Sequence, residues 1–246
     1  MSTDKKQAVM EHVLALRRVV IVSIAAVALL FVLLFYLACD PLVDFVLKPV
    51  RDRGIDMISM AVSEALMTQF KVCLIAAVVC GMPVIIQQIW SFVSPALYPH
   101  EKRLFAGLFF VALLLFLLGV AFCYVYVFPL AIDLFWAASD TVATAMWSVK
   151  EYISFVLSFV LPFGLMFELP VVIYMLARRG LVDYAKLSHF RKYVVLVIAL
   201  VAAVLTPPDV ISQCMLALPM YVLYEIAAQL ARFVKPRKAE EADAQA

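Results

Sequence analysis

Polar residues divide this chain into long apolar runs. Four of them, residues 19–38, 72–89, 104–127 and 153–177, carry almost no charge. About 20 residues at 1.5 Å each cross the roughly 30 Å of bilayer hydrocarbon, so each run is long enough for a span. Helix is the predicted state because lipid offers backbone groups no outside partner. Lys71 borders the second run and can snorkel to the outer interface. Two further runs are shorter, 13 residues at 193–205 and 11 at 214–224, and Thr206-Pro207-Pro208-Asp209 joins them. That pair predicts a short hairpin that either thins the bilayer locally or sits behind other helices. The pattern predicts an all-α polytopic membrane protein with six transmembrane helices, the last two short.

The flanks complete the layout. Residues 1–18 form an N-terminal segment, 19–230 the six-helix domain, and 231–246 a small, acidic tail expected to be disordered. Between Gln7 and Arg18, Val9, Val13 and Leu16 share a helical face with Met10 and Leu14 beside them. An interfacial helix and a plain basic flank both fit that segment. Residues 40–56 alternate apolar and charged positions, which predicts a short amphipathic cap with Leu42, Phe45 and Val46 on one face. Tyr36-Leu37-Ala38-Cys39 is only faintly like a lipoprotein cleavage box, and the run before it is long for a signal, so the first span is expected to be retained. No internal repeat is visible, which lowers the prior for a secondary transporter.

Composition agrees: 66% of residues are hydrophobic, 15% are charged and the mean hydropathy is +1.03, outside the range of soluble domains. A net charge of only +2 gives no reason to expect a nucleic-acid partner. Its distribution says more, because 15 of the 20 Lys and Arg fall on the side that carries both termini. The positive-inside rule places that side in the cytoplasm. Five scattered cysteines read as small apolar fillers. His12, His100 and His189 share no ligand spacing, and no hydrolase or phosphate-loop string occurs, so neither metal nor cofactor is expected.

Three places carry chemical information. The segment from Pro83 to Arg103 reads as a cytoplasmic loop dense in prolines and aromatics. Trp90 and Tyr98 each suit an interface anchor. Glu101, at the membrane surface beside that rigid apolar platform, suits a dock for a cationic peptide with an apolar neighbour. Glu168 lies ten residues before Arg178, about 15 Å deep and near the midplane. A charge there costs on the order of 2.5–3.5 kcal/mol. It is either a protonated glutamate bonded within the bundle or a polar site for another helix or a proton. Pro170 leaves the Met166 carbonyl without its donor, which predicts a kink beside it. Asp209 with Pro207 and Pro208 fits a tight outer turn, and Pro49 is read as a cap residue in the outer segment.

In combination these strings resemble the TatC family from His12 to Glu225. The loop pattern is carried by Pro83, Gln88, Trp90, Phe92, Pro95, Leu97, Tyr98 and Glu101, and the fourth-span pattern by Phe163-Gly164 and Phe167-Glu168-Leu169-Pro170. The hairpin pattern is the most specific: Leu205-Thr206-Pro207-Pro208-Asp209, Ser212-Gln213, Pro219 and Glu225. The resemblance implies a concave, non-catalytic six-helix receptor in a bacterial inner membrane. It would bind the twin-arginine signal peptides of folded cargo at its cytoplasmic face. TatB-like and TatA-like single-span proteins would be its partners, it would self-associate in a receptor complex, and the proton-motive force would supply the energy. Signal-peptide binding would involve Glu101, Phe92, Leu97, Tyr98 and Arg17, and Glu168, Gln213 and Thr206 would form an intramembrane polar site. One departure matters. The family's His-Leu-x-Glu-Leu-Arg reads here His12-Val13-Leu14-Ala15-Leu16-Arg17, so the expected acid is absent at Ala15. Glu11, one turn back on the same face, is the residue placed to supply it.

Two other readings compete. A proton-coupled transporter of a small solute would use Glu168 as its relay. An intramembrane hydrolase would need a paired nucleophile and base at membrane depth, and the runs contain none.

Overall fold

The structure, a computed structural model, describes residues 3–93, 102–140, 147–206 and 209–234. Six helical stretches are long and apolar enough to cross a membrane: Leu14–Leu37, Val62–Ser91, Ala106–Ala137, Val149–Arg178, Tyr184–Leu205 and Val210–Phe233. They correspond one for one to the predicted spans. Large apolar side chains coat the outside, among them Leu29, Leu118, Leu200, Val204 and Leu218. Such a surface would drive aggregation in water and is the natural coat in hydrocarbon.

The elements in order are α1 (Thr3–Leu37), α2 (Cys39–Arg51), a two-residue strand β1 (Met57–Ile58), α3 (Val62–Val93) and α4 (Lys102–Phe122). A π-helical turn (Cys123–Val127) then leads into α5 (Phe128–Asp140), and β2 (Trp147–Ser148) precedes α6 (Val149–Met166) and α7 (Leu169–Arg178). Last come α8 (Tyr184–Leu205), α9 (Val210–Leu230) and a 3-10 turn (Ala231–Phe233). Several helices outrun their apolar cores. The hairpin runs of 13 and 11 residues sit inside helices of 22 and 21 residues, because polar flanks at an interface continue the hydrogen-bond ladder. Likewise α1 is one helix from Thr3, with no separate interfacial element before the span.

The chain forms two compact units, Met1–Lys48 with Ser59–Leu113, and Pro49–Ile58 with Leu114–Ala246. In the first, α1 packs along α3. The ring of Phe70 stacks on Phe35 at 4.8 Å and on Phe31 at 5.8 Å. Further along, a Cβ on Gly81 would lie 3.3 Å from Val27, so this glycine sets how closely the two helices approach. Pro83 lies inside α3, which corrects the reading of a loop beginning there: the helix runs on to Val93 and carries Gln88 and Trp90.

α2 is the predicted amphipathic segment, with unequal burial along its apolar face. Leu47, Val50 and Pro49 are buried and Leu42 and Val46 half-buried, whereas Phe45 is 53% exposed. Phe45, about 60° around the helix from Leu42, therefore sits at the exposed edge of the predicted face. Gly54, at φ 68°, ends this helix with bonds from its own N–H to Arg51 and from Ile55 to Val50.

In the second unit the buried centre comprises Phe116, Phe128, Ile132, Ile153, Val156, Phe159, Phe163, Leu216 and Met220. α4 meets α6 through two glycines. A Cβ on Gly119 would lie 2.8 Å from the Phe163 carbonyl oxygen, and one on Gly164 would lie 2.5 Å from the Phe116 ring. The π turn follows from Pro129, which cannot donate to the Val125 carbonyl; the ladder slips by one residue and Phe128 N–H bonds the Cys123 carbonyl instead. Strands β1 and β2 pair in parallel, Met57 with Trp147 and Ile58 with Ser148, too short for any periodicity to have announced them. Beside them Arg53 donates to Asp133 from Nε at 2.6 Å and from Nη2 at 3.1 Å. That bond raises the Arg53 pKa above its ordinary value.

Candidate functional site

Glu168 sits at the interruption that Pro170 imposes. α6 stops at Met166 and α7 restarts at Leu169, with Pro170 in its first turn. Across the break Phe167 N–H reaches the Phe163 carbonyl at 3.1 Å and Glu168 N–H the Leu165 carbonyl at 3.1 Å. The Glu168 carbonyl accepts from Val171 at 3.0 Å and from Val172 at 3.1 Å. Its backbone is thus fully used, but its side chain caps nothing. The residue is half-buried, and Oε1 is buried without a hydrogen-bond partner among the described residues. A buried oxygen left so costs about 1–3 kcal/mol, which a donor from a neighbouring helix, or a proton with such a donor, would recover.

The hairpin turn binds its own polar groups. Asp209 caps α9, its Oδ1 accepting from Ser212 N–H at 2.6 Å, so it acts as a helix cap as well as a turn residue. Thr206 donates its hydroxyl to Ala202 at 2.8 Å, and Gln213 donates to the Ala199 carbonyl at 3.1 Å. Both are therefore engaged within the hairpin, not with Glu168. The Ser212 hydroxyl is buried without a partner among the described residues. Near this turn opens a cleft of about 360 Å³ lined by Ile132, Phe135, Trp147, Ser148, Glu151, Tyr152, Phe155 and Asp209.

At the opposite end of the hairpin lies a cluster that sequence reasoning missed. Arg191 Nη2 pairs with Glu225 Oε1 and also meets the Tyr184 hydroxyl at 3.3 Å. Gln229 donates to the same Glu225 oxygen at 3.3 Å, the Arg232 guanidinium lies 5.1 Å from the Tyr184 ring centre, and the Tyr224 hydroxyl donates to the Leu187 carbonyl at 2.8 Å. Glu225 was visible as a motif residue. The signal for its partner was symmetry: residues 191 and 225 are equidistant from the turn at Pro208 in an antiparallel pair.

The remaining predicted residues divide into two groups. Arg17 and Ala15 are exposed on α1, and Pro49 is buried in the last turn of α2, where its carbonyl accepts from Arg53 at 2.9 Å. Leu97, Tyr98, Glu101, Pro207 and Pro208 lie outside the described residues, as do the side chains of Glu11 and Phe92. Among the described residues no group of three or more His, Cys, Asp or Glu could hold a metal ion.

A family model described as "Sec-independent protein translocase protein (TatC)" matches residues 11–219, most of the chain. The chain belongs to the TatC family. A TatC from Carboxydothermus hydrogenoformans is 38% identical over 236 residues, covering 96% of this chain and 97% of that one. The TatC of Escherichia coli K12 is 37% identical over 245 residues, 98% of this chain and 95% of its own length. A solved structure described as the twin arginine translocase receptor TatC superposes with a TM-score of 0.84 at 35% identity, covering 90% of this chain and 98% of that one. The broken helix at Glu168, the capped turn at Asp209 and the ion pair at Glu225 are among the positions singled out from sequence whose geometry the structure describes.

Proposed function

We propose that this TatC-family chain is the signal-peptide-binding core subunit of the twin-arginine translocase, exporting folded proteins with the proton-motive force. The carrying observation is the TM-score of 0.84 to the twin arginine translocase receptor, at 35% identity over 90% of the chain. In this reading the protein lies in a bacterial inner membrane with both termini cytoplasmic, assembles with TatB-like and TatA-like single-span proteins, and performs no catalytic step. The transporter alternative gains no comparable support.

Glu101 is the proposed acceptor for the paired arginines. A guanidinium presents a planar fork that a carboxylate takes bidentately, whereas lysine presents a point charge. Phe92, Leu97 and Tyr98 would receive the apolar part of the leader. Arg17 and Glu11 would lie at the same site, with Glu11 in place of the acid absent at Ala15. Glu168 would take a polar side chain from a partner's span.

Site-specific crosslinking of a leader peptide to the purified chain tests this. A paired-arginine leader should crosslink near Glu101 at least tenfold more efficiently than its paired-lysine form, and Glu101→Ala should remove most of that difference while Glu168→Ala preserves it. Equal crosslinking by the two leaders would refute the assignment.

A further inference from the structure

We infer that the cleft beside the hairpin turn binds a small organic ammonium ion, a positive charge carried on an apolar body as in a quaternary amine. The side chains that line it all belong to the second unit, and among these described residues there is no lysine or arginine. Four of them are aromatic: Phe135 of α5, Trp147 of β2, and Tyr152 and Phe155 of α6. Two are carboxylates: Glu151 in the first turn of α6, and Asp209, the N-cap of α9. Rings and carboxylates together suit a weakly hydrated cation, because the ring faces attract its charge and the apolar walls take its alkyl groups. The inference stands apart from the translocase reading above.

The walls are in place before a ligand arrives. β2 pairs with β1, and Trp147 N–H donates to the Asp56 carbonyl at 3.2 Å, which fixes the backbone that carries the indole. The Phe135 and Phe155 rings lie 5.6 Å apart with their planes at 82°, and Tyr152 is buried. A cleft of about 360 Å³ falls in the range that small molecules occupy, and fixed walls leave little side-chain freedom to lose on binding. Charge then selects the ligand. The N-termini of α6 and α9 each bring roughly half a positive charge against the two carboxylates, so the cleft keeps about one negative charge. The nearby Arg53 is paired with Asp133, and Lys150, next to Glu151, is exposed and does not line the cleft. That field repels an anion. It also disfavours a phospholipid headgroup, which would bring its phosphate in with its amine. The occupant is therefore a free organic ammonium ion.

The test is equilibrium dialysis of the full-length chain in an uncharged maltoside detergent against radiolabelled benzyltrimethylammonium. Binding should saturate near one ion per chain. Choline should displace the label at a concentration at least tenfold below that of 3,3-dimethyl-1-butanol, its uncharged isostere, and below that of glycerophosphocholine, which adds the phosphate. Glu151→Gln with Asp209→Asn should weaken binding at least tenfold, since asparagine keeps the helix cap but removes the charge. Glu151→Gln alone, at an exposed position, should weaken it at least threefold, so the inference can fail even where the double variant does not fold. Absence of saturable binding, equal displacement by the uncharged isostere, or unchanged affinity in Glu151→Gln would each overturn it. Equal displacement by glycerophosphocholine would overturn it too, because the cleft would then be a lipid-headgroup site.

Discussion

At the residue scale, Glu168 combines two facts that rarely coexist: it lies deep in a membrane span, and it has a buried oxygen with no partner among the described residues. A hydrogen-bonding group of the same shape should keep the function of that oxygen, and an apolar one should not. Glu168→Gln is therefore expected to retain co-purification with a TatB-like partner, with Glu168→Leu losing at least fivefold. Asp209 has a different task. Its bond to Ser212 N–H is a helix cap, so Asp209→Ala should destabilise the chain by about 1 kcal/mol and Asp209→Asn by far less, measured by thermal unfolding in detergent. Sequence showed both residues, because a carboxylate in an apolar run and an aspartate after two prolines stand out by type alone. The Arg191–Glu225 pair was missed although both residues lie 17 positions from Pro208, because reading it requires pairing the two helices about that turn before their ends are known.

At the element scale, the six spans were legible because hydrocarbon demands long uncharged helices, and their centres match the apolar runs. Their ends were not legible. Proline was read as a loop signal at Pro83, yet Pro83, Pro162 and Pro219 all lie inside helices, which neighbouring packing makes tolerable in a membrane. At Pro170 the same logic gave the right answer, since a break was expected and occurs. Pro129 was not read at all, and its outcome is a π turn. The α4–α6 contact rests on glycine in the most demanding way. Gly119→Ala would place a methyl against the Phe163 backbone oxygen, which cannot swing aside, so a loss of about 1–3 kcal/mol is expected in detergent unfolding. Gly81→Ala meets only the end of a side chain at 3.3 Å and should cost clearly less.

At the scale of the whole molecule, the charge bias of the sequence gives a direct topological expectation. Cysteines placed at either terminus, in a chain lacking its native ones, should resist a membrane-impermeant maleimide on intact cells and react once the membrane is opened; labelling of both termini on intact cells would reverse the assigned orientation. Within the second unit, one arrangement bears on how such a molecule can move. Phe122, the last residue before the π turn, lies 6.0 Å from Phe163 and 5.8 Å from Phe167, ring to ring, so the two proline-made interruptions are neighbours at one level. Rods weakened at the same height bend as a pair. Such a bend would displace the Phe122, Phe163 and Phe167 rings together, so a substitution at Pro129 and one at Pro170 are expected to be non-additive in detergent unfolding.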